Sequence, residues 1–181
     1  MLLASGRNHE VLETRTMANS WYNTALNELA AGTLTITAFK IMMVGTDGTT
    51  YAFDADHDFV DNGANDATDP SFCELACTNY VGGHQGAGRH ATANETWAVD
   101  KPNNRAEMDA DDPAQWSNLG GGGDDDTVSA FIVFEERASD ALSLLVAYID
   151  TVTGLTFPYP TNGSHLNFAV NAEGLLHLSS V

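Results

Sequence analysis

Apolar positions run unbroken from Ala130 to Phe134 and resume, with one serine, from Leu142 to Ile149. The first run is rich in β-branched and aromatic side chains. A strand apolar on both faces is one that is covered on both sides. In the second run Leu142, Leu144, Val146 and Tyr148 fall on one face, and Ser143, Leu145, Ala147 and Ile149 on the other. Between the runs, residues 135–141 are polar and carry four charges, as a surface turn does. The pattern predicts a hairpin over residues 127–150 at the centre of a β-sheet.

The rest of the chain is patterned in shorter pieces. Ser20 stands as the cap of a helix, WYNTALNELAA, that stops at Gly32 and buries Trp21, Ala25, Leu26 and Leu29. Residues 33–44 read as a strand whose apolar parity changes after Ile36, which predicts a bulge or bend near Ala38. Asp47–Gly48 is a hairpin signal. An acidic loop spans 51–70, residues 71–80 fit either a helical turn or a strand, and 81–88 form a glycine-rich loop. Alternation over 90–100 and 105–109 predicts two strands, the second with Ala106 and Met108 inward. Trp116 anchors a loop, 120–126 form a flexible tip, and FPYPTNG turns the chain. Residues 164–170 and 175–179 read as two last strands joined at 171–174.

Many short strands with Gly, Asn, Asp and Pro turns indicate a mainly β protein, a jelly-roll-like antiparallel β-sandwich. The expected organisation is an extended N-terminal arm over 1–16 and a single β-sandwich domain over 17–181 that carries the short helix. At 181 residues, one core of ordinary size is affordable.

Charge narrows the partners. Seven Lys and Arg against 25 Asp and Glu leave a net charge of −18. Such a surface repels phosphate backbones and anionic lipid, so nucleic acid and membrane are not expected partners, while a cationic partner is favoured. No run reaches the roughly 20 apolar residues of a membrane span, and Leu2–Leu3 is too short for the apolar region of a signal peptide.

Candidate chemistry is sparse. Cys73 and Cys77 are spaced C-x3-C, which fits neither zinc nor thioredoxin-like motifs and reads as two small buried or half-buried thiols. Asp54, Asp56 and Asp58 mimic the start of a calcium loop, but Phe59 and Asn65 stand where an EF-hand needs Gly and Glu. A looser calcium site using these residues and Asp61 is the weaker alternative to a solvated loop. Asp109, Asp111, Asp112 and 124–126 are further carboxylates, which act on glycosides only if a cleft holds two at the right separation. Neither Gly120–Gly123 nor Gly82, Gly83, Gly86 and Gly88 has phosphate-cradle spacing. No nucleophile elbow or paired-histidine motif occurs. No catalytic, cofactor or metal residue is therefore assigned, and the chain is not expected to be an enzyme.

Several stretches, in order, resemble small virion structural proteins of tailed bacteriophages: MANSWYNTALNELAAGTLTI, KIMMVGT, DADHDFVDN, NYVGGHQGAGR, NRAEMDADD, LLVAYID and TNGSHLNFAVNAEGLLHL. The order of the pieces carries the resemblance. It implies a non-enzymatic particle component without cofactor, a capsid cement or decoration protein that stabilises the head through contacts with the major capsid protein, other virion proteins or further copies of itself, as in a trimer. The alternative it implies is a neck or tail component, such as a receptor- or glycan-binding module with Trp97, Trp116, Tyr159 or Tyr80 as stacking platforms. In the arm, Leu2, Leu3, Val11 and Leu12 are the expected apolar anchors of assembly. Arg7 and Arg15 are expected to pair with acidic surface on a neighbouring copy.

Overall fold

The computed structural model describes residues 18–46, 50–63, 67–122, 126–152, 154–171 and 174–179, so the expected arm and the Asp47–Gly48 turn lie outside the described residues. In chain order the elements are β1 (Ala18–Trp21), α1 (Asn23–Ala31), a 3-10 turn (Ile36–Ala38), β2 (Phe39–Gly45), β3 (His90–Ala91), β4 (Ala93–Asp100) and β5 (Arg105–Asp111). They continue with β6 (Trp116–Gly120), β7 (Thr127–Glu135), β8 (Leu144–Thr151), β9 (Tyr159–Pro160), β10 (Asn162–Leu166) and β11 (Leu176–Ser179). The protein is mainly β, and every named strand pairing is antiparallel.

The central hairpin forms as the pattern predicts. In the main sheet the order is β1-β8-β7-β2-β3, with β9 on β7. Strand β7 is covered on both faces. Phe131 and Val133 point into a core shared with Met108, Trp116, Leu119, Leu166, Phe168 and Leu176. These come from a three-stranded sheet, β11-β5-β4, from a β10–β6 ribbon and from the segment after β10, which together make the second layer of a β-sandwich. Ala130, Ile132 and Phe134 point the other way, into a second core with Tyr22, Tyr51, Val60 and Cys73. Loop residues thus form a third layer over the main sheet, which is why the run Ala130–Phe134 in β7 has no polar position.

Several local expectations are corrected. The register of β7 on β8 shifts after Val133, which pairs with Ala147 while Phe134 pairs with Leu145. Val146 is therefore the extra residue of a bulge. Leu144 and Val146 face the first core, Tyr148 turns to the second, and Leu142 lies outside the strand and is exposed.

Helix α1 begins at Asn23, later than expected, with Tyr22 at the cap position, and Ser20 and Trp21 belong to the strand β1. The sheet holds this backbone: the Tyr22 N–H donates to the Val146 carbonyl at 3.2 Å. Only Ala25 of the expected stripe is fully buried. Gly32 does end the helix, at φ 71°, in the left-handed cap that glycine favours. The bend expected near Ala38 is a 3-10 turn, so the strand begins only at Phe39. Trp116 opens a strand instead of anchoring a loop, and the strand expected over 164–170 is β10, which already ends at Leu166 and pairs with β6, while β11 pairs with β5.

Candidate functional site

The glycine-rich loop wraps a buried ionic cluster. Glu74 follows a tight turn and bridges Val44 at the end of β2. The Arg89 guanidinium meets it with two hydrogen bonds, Nε to Oε1 at 2.8 Å and Nη2 to Oε2 at 2.7 Å. It meets Asp140 with two more, at 2.5 and 3.1 Å, and lies 5.3 Å from the centre of the Phe134 ring. The Tyr80 hydroxyl and the Gly83 N–H also donate to Glu74. Burial works against the Arg89 charge, but the hydrogen bonds it donates to both carboxylates outweigh it and hold the guanidinium more firmly protonated than usual. A buried cation needs such partners, and here they tie the loop after β2 to the β7–β8 turn.

The glycines serve this packing. A Cβ on Gly82 would sit 2.7 Å from the Glu74 carboxyl carbon, and one on Gly88 would sit 2.7 Å from the Tyr80 ring.

The calcium-like segment also turns inward to the fold. Asp56 accepts from Asn23 Nδ2 at 2.7 Å, Asp58 accepts from the Thr24 hydroxyl, and the Asn23 N–H donates to the Ala55 carbonyl at 2.8 Å. Asp54 accepts the Asp56 N–H and Asp61 accepts the Gly63 N–H. The run thus docks on the start of α1, where the Ala55 carbonyl takes up one free helix N–H and nearby carboxylates complement the helix dipole. Beside it is an open cleft of about 510 Å³, lined in part by Phe53, Asp54, His57 and Thr68. At its wall a chain of hydrogen bonds links Tyr22 Oη to Tyr51 Oη at 2.9 Å and Tyr51 Oη to His57 Nδ1 at 3.0 Å. Burial raises the pKa of both tyrosines, so at neutral pH they are neutral hydroxyls that pass hydrogen bonds rather than bases.

The remaining candidates scatter. Leu2, Leu3, Arg7, Val11, Leu12 and Arg15 lie outside the described residues. Trp116 and Tyr80 are buried, with Trp116 Nε1 donating to the Gly88 carbonyl at 2.7 Å, so neither is a stacking platform. Trp97 and Tyr159 are half-buried, and Trp97 stacks on Trp21 at 6.5 Å. Asp111 holds Asn94, Asp112 accepts the Val170 N–H, and Asp126 is buried, accepting the Thr46 N–H at 2.8 Å. Cys73 is a buried free thiol and Cys77 a half-buried one, as their spacing implies. Among the described residues no three His, Cys, Asp or Glu side chains are grouped to hold a metal ion. Residue patterns missed the Glu74–Arg89–Asp140 cluster and the tyrosine chain. The only signal was an arginine and tyrosines beside loops too polar to be core. Searches of protein-family models, curated proteins and solved structures found no match.

Proposed function

We propose that the protein is a non-enzymatic structural component of a tailed-phage virion, a cement or decoration protein of the head whose arm clamps a neighbour. The observation that carries this reading is the place of β1. Among the described residues it is an outer strand of the main sheet, paired with β8 alone, and residues 1–16 precede it in the chain. An arm entering at an edge is placed to reach another subunit rather than to complete the core. The inward use of charge is consistent with this role, since Glu74, Arg89, Asp140 and Asp126 fasten loops to the sheet. Burial of Trp116 and Tyr80 removes two of the four stacking platforms on which a glycan-binding module would rely. The net charge of −18 favours a basic face of the major capsid protein over nucleic acid or membrane.

Copies per particle test the reading. Quantitative mass spectrometry of purified virions should find the protein in hundreds of copies, as cement on a symmetric shell requires. About a dozen copies or fewer would move it to the neck or tail, by the symmetry of those rings. Its absence from the particle would overturn the proposal.

A further inference from the structure

The β4–β5 hairpin carries its inner face past the sandwich. Trp97, Met108 and Leu176 share one rung of that face and pack on the main core. One rung further, Val99, Ala106 and Leu178 stand in line, and Val99 is 74% exposed. With Asp100, Lys101 and Arg105 at the rim, they line a groove of about 310 Å³. Strand β4 is the outer strand of its sheet, so the groove opens along one side.

The rim has an unusual charge. Five cations fall among the described residues. Lys40 pairs with Glu136, Arg89 with Glu74 and Asp140, Arg105 with Asp100 and Glu107, and Arg137 with Glu28 and Glu135. Lys101 alone among them has no ion-pair partner, in a chain with 25 carboxylates. An apolar floor beside one unpaired ammonium fits a short apolar segment that bears a carboxylate.

We propose that the groove receives residues 10–13 of a second copy, Glu-Val-Leu-Glu, with Val11 and Leu12 on Val99 and Leu178 and a flanking glutamate on Lys101. Of the two apolar pairs in the arm, Leu2–Leu3 has no adjacent charge, whereas Val11–Leu12 is bracketed by Glu10 and Glu13. The tether is short: the five residues from Glu13 to Ala18 span up to about 18 Å when extended, so the hairpin of the second copy must lie close to the β1 edge of the first. The contact is head-to-tail, arm of one copy to hairpin of the next, and such contacts close into rings such as a trimer when the rotation permits. This inference rests on the reading of residues 1–16 as an assembly arm, but not on the particle.

Sedimentation velocity on the full-length chain and full-length variants is the test. The full chain should self-associate. Val99→Asp and Leu12→Asp should each weaken association at least about tenfold, as loss of an apolar anchor does. Lys101→Glu should do the same, and adding Glu10→Lys and Glu13→Lys to it should restore association. Melting temperatures should stay within about 2 °C, because these are surface changes. Should Val99→Asp lower the melting temperature, Lys101→Glu and its rescue decide. A full chain that is monomeric throughout, or an oligomer indifferent to these substitutions, overturns the proposal. A protein that associates in this way yet is absent from virions overturns the virion reading alone.

Discussion

Arg89 and Glu74 face each other through two parallel hydrogen bonds, and their side chains are 0% and 7% exposed. Removing the cation leaves Glu74 buried without its countercharge, which costs far more than the pair itself contributes. Arg89→Met, which keeps most of the volume, should destabilise the fold by about 3–5 kcal/mol in urea titrations. Added salt should change the difference between wild type and variant little, since a buried pair is weakly screened. A loss below about 1 kcal/mol, the range of exposed pairs, would show that the cluster is open to water.

Gly86 separates steric need from conformational need. A Cβ there would lie 2.3 Å from the backbone carbonyl oxygens of both Val81 and Gly82, which no rotamer change can relieve. At Gly32 the space is open and only the φ of 71° disfavours a side chain. Gly86→Ala should therefore cost about 2–3 kcal/mol or more, as overpacking does, and Gly32→Ala about 1 kcal/mol. Equal losses in thermal melts would contradict the close packing of the loop.

The sequence was most legible where burial is continuous. A run without polar positions, as in β7, can only be covered on both faces, and the structure covers it so. Legibility failed where one residue changes parity. Nothing in LLVAYI marks Val146 as a bulge, because no residue there is charged and the slip leaves hydropathy unchanged. Ser20 is a good helix cap by type, yet the helix starts later because the sheet claims the Ser20 backbone. Ionic clusters were hidden for another reason. Glu74, Arg89 and Asp140 are far apart in the chain, and only the folded loops bring them together.

Phe131 is the centre of the first core, with rings of Phe168, Phe157 and Trp116 at 4.8, 5.6 and 5.9 Å. It is fully buried. Phe131→Ala should cost about 3–5 kcal/mol, and Phe131→Leu clearly less, because the cavity is smaller. Chemical denaturation of both variants checks the order; equal losses would mean that the site collapses around either side chain.

Tyr22, Tyr51, Tyr80 and Tyr148 all have their pKa raised, chiefly by burial. Each therefore stays protonated in the fold above pH 10, where the unfolded chain begins to release its proton. The unfolded state then binds fewer protons than the native state, and stability falls as pH rises. The contribution is intact below the ordinary value of 10.0 and is lost toward the folded value, by up to about 1.4 kcal/mol per pH unit for the deeply buried Tyr22 and Tyr80 and by less for Tyr51 and Tyr148, which solvent partly screens. Alkaline unfolding should set in above about pH 10, with tyrosinate absorbance rising together with loss of β circular dichroism. Tyr22→Phe should flatten the slope. Tyrosinate absorbance from these four side chains in the still-folded protein near their ordinary value would contradict their burial.

Asp56 and Asp58 lie across from Asn23 and Thr24, the first residues of α1, and their oxygens accept from those side chains. A cation at the 54–58 segment would have to displace these donors and compete with the helix dipole that already complements the carboxylates. Addition of a calcium chelator should then leave the thermal melt unchanged, since nothing bound only to the native state is withdrawn. Asp58→Ala should instead lower stability by about 0.5–1.5 kcal/mol, the net contribution of an intramolecular hydrogen bond. Thr24→Val should give a comparable loss, and the double variant should lose less than the sum, because the two act through one hydrogen bond. A melting temperature that drops with chelator and recovers with added calcium would show that these carboxylates bind an ion, and additive losses would show that the Thr24–Asp58 contact is not what holds the loop on the helix.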